Sequence, residues 1–161
     1  MPKWAVPPMP VASLTVDTGH RHFRAKTLTG TPNLESPLDS PSAMMLLIVD
    51  DNAVMRRLIR RMTADLAERV EECADGAAVL AAYEQHHFSG ADWVLMDVEM
   101  PGLDGLTATR QLRAAHPEAR VLIVTKHNDE ALRAAAFVHG ATGFVAKENL
   151  LELRALLSAA A

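Results

Sequence analysis

The chain has 161 residues and a mass of 17.5 kDa, enough for one compact domain and too little for a two-domain enzyme. Apolar residues make up 49% but aromatics only 4%, so a core has to be built from Leu, Val, Ile, Met and Ala. A net charge of −4 and a sequence pI near 5.9 lack the basic footprint of a protein that binds nucleic acid directly.

The single cysteine, Cys73, leaves no internal disulfide, and no Cys/His cluster has zinc spacing, so a reducing cytoplasm is the expected compartment. Prolines interrupt the N-terminal "MPKWAVPPMP" where a signal peptide needs an apolar run. No apolar run is longer than that of Ala43 to Val49, which is too short for a bilayer, and the chain is expected to be neither secreted nor membrane-spanning.

Seven of the nine prolines fall in residues 1–43, a stretch with almost no apolar periodicity that reads as a disordered tail. Its basic cluster "HRHFRAK" (His20 to Lys26) reads as solvated rather than as a docking element, and Met44 or Met45 is a candidate for a native start. Residues 44–161 carry 12 Lys+Arg against 17 Asp+Glu, a balance of −5. In that segment short apolar runs alternate with longer helical patterns. The predicted strands are 45–49, 70–74, 92–96, 120–124 and 142–146. The predicted helices are Ala53 to Leu66, Ala77 to His86, Leu106 to His116, Asp129 to His139 and Leu150 to Leu157.

In the first helix Met55, Leu58, Ile59, Met62 and Leu66 share one face, and Arg56, Arg57, Arg60 and Arg61 hold an opposite, mainly solvated one. In the last, Leu150, Leu153 and Leu157, with Leu151 and Leu156, read mostly as core. Strands one, three and four are apolar almost throughout, as central parallel strands are, whereas Glu71 and Glu72 put strand two at an edge. The expected fold is α/β, a doubly wound five-stranded parallel (βα)5 sheet. Its ligand crevice lies at the carboxyl ends of the strands.

The residues just past each strand are therefore informative. Asp50 and Asp51 come after the first, Asp97 after the third, Thr125 after the fourth and Lys147 after the fifth. Any one of these reads best as a turn former or helix cap; their convergence on one edge is what points to chemistry. Carboxylates so close repel, by ~4 kcal/mol per pair at about 4 Å in an effective dielectric of about 20. They require a cation or protons. Oxygen donors without His or Cys select a hard ion, for which Mg²⁺ is the natural candidate.

The segments "LLIVDDNAVMRRLI", "CADGAAVLAAY", "VLMDVEMPGLDGL", "VLIVTKHND" and "GATGFVAKENL" resemble, as a set, a CheY-like receiver domain of a two-component response regulator. The resemblance covers residues 45–158 and not the tail, so that 44–161 is expected to be a receiver domain, and it implies a sheet of flavodoxin-like order 2-1-3-4-5. It implies that Asp97 is a phosphoacceptor and that Asp50, Asp51, Asp97 and the backbone carbonyl of Glu99 hold Mg²⁺. Thr125 and Lys147 would grip the phosphoryl oxygens, and Phe144 would be an aromatic that changes rotamer on activation. It also implies a signalling domain rather than an enzyme in the ordinary sense, one that catalyses its own phosphoryl transfer and dephosphorylation.

The implied donor is a sensor histidine kinase or a histidine phosphotransfer protein, with output by conformational switching toward a protein partner the sequence does not name. No direct nucleic-acid or membrane contact is implied, and the state is a monomer or a phosphorylation-dependent homodimer. Glu99, Lys126 and His127 would flank the path of water to the acyl phosphate and tune its lifetime. Lys126 departs from the small residue usual after the switch threonine, and Lys147 is followed by Glu148 instead of proline. The "KEN" ending is similar to NarL/FixJ-type receivers, whose usual output domain is not in this sequence, which fits a stand-alone receiver or a fragment. The alternative, a phosphorylation-independent pseudo-receiver module, would be favoured by a missing crevice group, and all five are present. A dinucleotide-binding domain would need G-x-G-x-x-G after the first strand, which is absent.

Overall fold

The computed structural model describes residues 44–159. The strands are β1 (Met45–Val49), β2 (Arg69–Cys73), β3 (Trp93–Met96), β4 (Arg120–Thr125) and β5 (Gly143–Ala146). They form one parallel sheet of order β2-β1-β3-β4-β5. The helices are α1 (Ala53–Thr63), α2 (Val79–Gln85, preceded by a 3-10 turn at Gly76–Ala78), α3 (Gly105–Ala115), α4 (Glu130–Val138) and α5 (Leu150–Ser158). The sheet order and five-helix winding are those expected, with the glutamate-bearing strand at an edge.

Strand alternation divides the core into two layers. Leu47, Val49, Val94, Met96, Val121, Ile123 and Phe144 face one side, where Tyr83, Ala108, Leu112 and Ala136 cover them. Leu46, Ile48, Leu95, Leu122, Val124 and Val145 face the other, against Ile59, Leu153 and Leu157. Every residue of β3 and residues 46–49 of β1 are buried, so the near-continuous apolar runs are explained by cover on both faces.

Several expectations are corrected. Helix α1 ends at Thr63 and not at Leu66: the Leu66 N–H turns back to the Thr63 carbonyl, and Arg154 of α5 takes the Met62 carbonyl and both oxygens of Asp65. Strand β3 starts at Trp93 because Asp92 is used as a clamp, accepting from the Met45 N–H and from the backbone and hydroxyl of Ser89.

The arginine face of α1 is not simply solvated. Arg56 and Arg60 both pair with Glu72 of β2, at 3.1 and 2.6 Å, and reach the carbonyls of Asp50 and Val70. Leu58 is 43% exposed, and Leu151 and Leu156 are 75% and 40% exposed, so only Leu150, Leu153 and Leu157 of α5 enter the core. Those two leucines fall off the stripe that faces the sheet. The expected tail, residues 1–43, lies outside the described residues. No helix among the described residues is long and apolar enough to cross a membrane.

Candidate functional site

The parallel ladder runs one residue past three strands and fixes the groups beyond them. The Asp50 N–H donates to the Cys73 carbonyl (3.1 Å), the Asp97 N–H to the Val49 carbonyl (2.8 Å) and the Lys147 N–H to the Thr125 carbonyl (2.7 Å). Their side chains leave a rigid sheet edge, as a precise constellation requires. Asp50, Asp97, Thr125 and Lys147 are all buried, and Asp51 is exposed at the rim. One carboxylate oxygen from each of Asp50, Asp51 and Asp97 lies within 4.8 Å of the others.

Lys147 joins this cluster directly. Its Nζ is 2.6 Å from Asp50 Oδ2 and 2.7 Å from Asp97 Oδ2, and the latter contact is a hydrogen bond. One ammonium against three carboxylates leaves an excess of negative charge. Burial pushes the Asp97 carboxyl above its ordinary range and Asp50 adds to the rise, while Lys147 pulls the other way without cancelling it. Burial also works to lower Lys147, but the Asp50 and Asp97 carboxylates outweigh it and hold the ammonium more firmly protonated.

Two buried oxygens, Asp97 Oδ1 and Asp50 Oδ2, make no hydrogen bond; for Asp50 Oδ2 the short Lys147 contact is an ion pair of poor hydrogen-bond geometry. Unpartnered buried carboxylate oxygens in an oxygen-only cluster fit a hard divalent cation. The acidic residues present therefore suit Mg²⁺ on their own chemistry.

The mouth is spanned by a side-chain hydrogen bond. His127 Nε2 lies 2.8 Å from Glu99 Oε1, linking the loop after β3 to the loop after β4, with both side chains more than half exposed. Glu99 thus pairs with His127, while Lys126 is exposed beside it. The Thr125 hydroxyl accepts from the His127 N–H at 3.4 Å, and Phe144 is buried in β5 with Arg133 above its ring at 4.6 Å. The nine residues singled out from the sequence fall into the carboxylate crevice, its mouth, and this neighbouring aromatic.

Three supporting residues are not legible as functional from the sequence. Asn52 caps α1 by accepting from the Val54 and Met55 N–H groups while its own N–H donates to Asp50 Oδ1 at 2.8 Å, so one residue starts the helix and orients the acid. Its place just ahead of an apolar helical pattern is the usable signal. Arg56 fixes the Asp50 carbonyl from the next turn. Gly105 begins α3 so close to β3 that an added Cβ would lie 1.8 Å from the Asp97 carbonyl oxygen, which bars any side chain there. In the turn ahead of it, Gly102 has φ +80°, the left-handed conformation that the "MPGLDG" turn requires.

A 2-1-3-4-5 parallel sheet with a buried acidic crevice and an invading lysine at its carboxyl edge defines a receiver-type α/β domain. Residues 46–159 match the response regulator receiver domain family, and the chain belongs to it. It is 32% identical over 106 residues to chemotaxis protein CheY of Bacillus subtilis (strain 168), covering 65% of this chain and 86% of that protein. It is also 32% identical over 105 residues to the transcriptional regulatory protein DegU of Brevibacillus brevis, covering 65% of this chain but 44% of that one. The chain thus spans less than half of that regulator and most of the chemotaxis protein. Among solved structures, a two-component response regulator of the LuxR family from Aurantimonas sp. SI85-9A1 superposes with a TM-score of 0.63 at 30% identity, over 73% of this chain and 87% of that one.

Proposed function

We propose that the protein accepts a phosphoryl group on Asp97 from a sensor histidine kinase or a histidine phosphotransfer protein and signals by a change of surface. The observation that carries this reading is the buried Asp97 carboxylate, with Oδ2 held by Lys147 and Oδ1 left without a partner at the sheet edge. A carboxylate oxygen attacks phosphorus, the bond from phosphorus to the donor imidazole breaks, and its electron pair leaves with the donor. No general base is needed for an ionised nucleophile. Lys147 remains to balance the charge gathered on the phosphoryl oxygens, and the Thr125 hydroxyl is a donor to them. Mg²⁺, held by Asp50, Asp51, Asp97 and the Glu99 carbonyl, supplies further charge neutralisation when bound.

Release of the group is hydrolysis of the acyl phosphate, and in this reading the Glu99–His127 bridge at the mouth flanks the path of the attacking water. For the donor, α1 offers a face next to the crevice in which exposed Val54 and Leu58 are flanked by Arg57 and Arg61. That pattern suits the acidic, partly apolar helical surface of a histidine-bearing partner. In the test, the full chain is incubated with a small acyl-phosphate donor, with and without Mg²⁺. One phosphoryl group is expected with Mg²⁺, little without it, and none in Asp97→Asn. Labelling of Asp97→Asn equal to the wild type refutes the reading.

A further inference from the structure

Asp50 is held from several elements at once. Its backbone N–H donates to the Cys73 carbonyl of β2 at 3.1 Å, its Oδ1 accepts from the Asn52 N–H at 2.8 Å, and its Oδ2 lies 2.6 Å from Lys147 Nζ. The remaining group, the backbone carbonyl, accepts from Arg56 Nη1 of α1 at 2.7 Å. That guanidinium is not a loose surface arm: its side chain is 16% exposed, and Nε of the same fork donates to Glu72 Oε2 at 3.1 Å. Glu72 is fixed in turn. Arg60 Nε takes its other oxygen at 2.6 Å, and Arg60 Nη2 reaches the Val70 carbonyl at 2.7 Å. Through one carboxylate, the edge strand β2 thus sets the guanidinium against the end of β1.

The Asp50 carbonyl lies in the peptide plane that it shares with the N–H and Cα of Asp51, and that plane is rigid. Holding the carbonyl therefore fixes the direction in which Asp51, the exposed acid of the cluster, leaves the sheet edge. We propose that Arg56, seated by Glu72, is a positioning residue that aims Asp51 at a cation shared with Asp50 and Asp97. The proposal rests on the reading of this crevice as a Mg²⁺ site. A planar fork suits the task, because two of its N–H groups engage a carbonyl and a carboxylate at fixed angles, which an ammonium does not. Charge alone works in the opposite direction. A guanidinium beside the acids repels a second cation, so its removal would tighten Mg²⁺ binding. Loss of aim weakens it, and the sign of the effect separates the two.

The test uses the full chain, labelled for amide resonance assignment, with Mg²⁺ alone as the probe. In the metal-free protein, Arg56→Met is expected to move the Asp51 amide resonance, the group joined to the released carbonyl. In a Mg²⁺ titration followed by the same spectra, the half-saturating concentration is expected to rise roughly tenfold, as loss of a group behind a metal ligand does. Glu72→Gln, which leaves the arginine but loosens its seat, is expected to act in the same direction by less. Arg56→Lys, which keeps the charge but not the fork, should fall between wild type and Arg56→Met. An unmoved Asp51 amide in Arg56→Met overturns the hold, and a moved amide with unchanged or tighter Mg²⁺ binding overturns the positioning. If Arg56→Met does not fold, Glu72→Gln carries the test, and wild-type Mg²⁺ affinity there overturns the proposal. Failure of the metal reading is distinguishable, as a wild-type protein whose crevice resonances do not respond to Mg²⁺, and the proposal falls with it.

Discussion

Glu99 and His127 illustrate how a pair differs from its members. From the sequence each is a separate neighbour of the crevice, but at 2.8 Å they act as one bridge. Their effects on acyl-phosphate lifetime are therefore expected to be non-additive. Glu99→Ala and His127→Ala should each leave phosphorylation intact and change its decay rate by up to about tenfold, the equivalent of ~1.4 kcal/mol in the barrier. The double variant should decay like either single one, whereas Lys126→Ala, at the same mouth but outside the bridge, should add its own effect. The measurement is phosphoprotein decay after donor removal, and effects that multiply in the double variant would dismiss the bridge. Asp51 is the exposed member of the acid cluster, so its loss disturbs packing least. Mg²⁺ should raise the melting temperature of the wild type and much less that of Asp51→Ala, because an ion that binds only the folded state stabilises by mass action. Equal responses would remove the metal site.

Among the elements, the connections between helix and sheet carry the consequences. Asp65 is held by the Arg154 hydrogen bonds well below the usual carboxylate range, at about 2. A depressed folded value means that the clasp of α5 onto the end of α1 contributes stability above the unfolded value and loses it as pH falls through about 4 to 2. The melting-temperature advantage of wild type over Asp65→Asn should therefore shrink across that window; a constant difference would contradict the sign. For Glu72, burial works to raise the carboxyl, and the Arg60 and Arg56 guanidiniums outweigh it and hold it low. Gly105→Ala should cost ~1–3 kcal/mol in a denaturant melt by overpacking against the Asp97 carbonyl, and should slow phosphorylation by displacing that residue. Stability and rate equal to wild type would show that α3 gives way freely. Much of this organisation was legible in the sequence because apolar runs report burial directly: the central strands and the edge position of β2 follow from it, which puts the acids at the strand ends on one edge, while the full strand order follows from the family resemblance. The end of α1, the exposure of Leu151 and the double pairing of Glu72 were not. They depend on partners distant in sequence, such as Arg154 to Asp65, which no local periodicity encodes.

At the scale of the whole molecule, a parallel sheet delivers carboxylates, a cation and a hydroxyl to one edge, while the loops around that edge carry exposed side chains. The buried strand ends bear Asp50, Asp97, Thr125 and Lys147; the exposed loops bear Glu99, His127 and Asn128. In the proposed function, chemistry on the buried strand ends is read out through these exposed loops, and that proposal depends on where a phosphoryl group is attached. The most direct measurement is reductive trapping with borohydride after incubation with Mg²⁺ and an acyl-phosphate donor, followed by peptide mapping. Borohydride converts a phosphorylated aspartate to homoserine and leaves free carboxylates alone. The expected result is homoserine at position 97 and nowhere else, lost in Asp97→Asn; homoserine at position 50 or 51, or a labelled protein with none, would contradict the account.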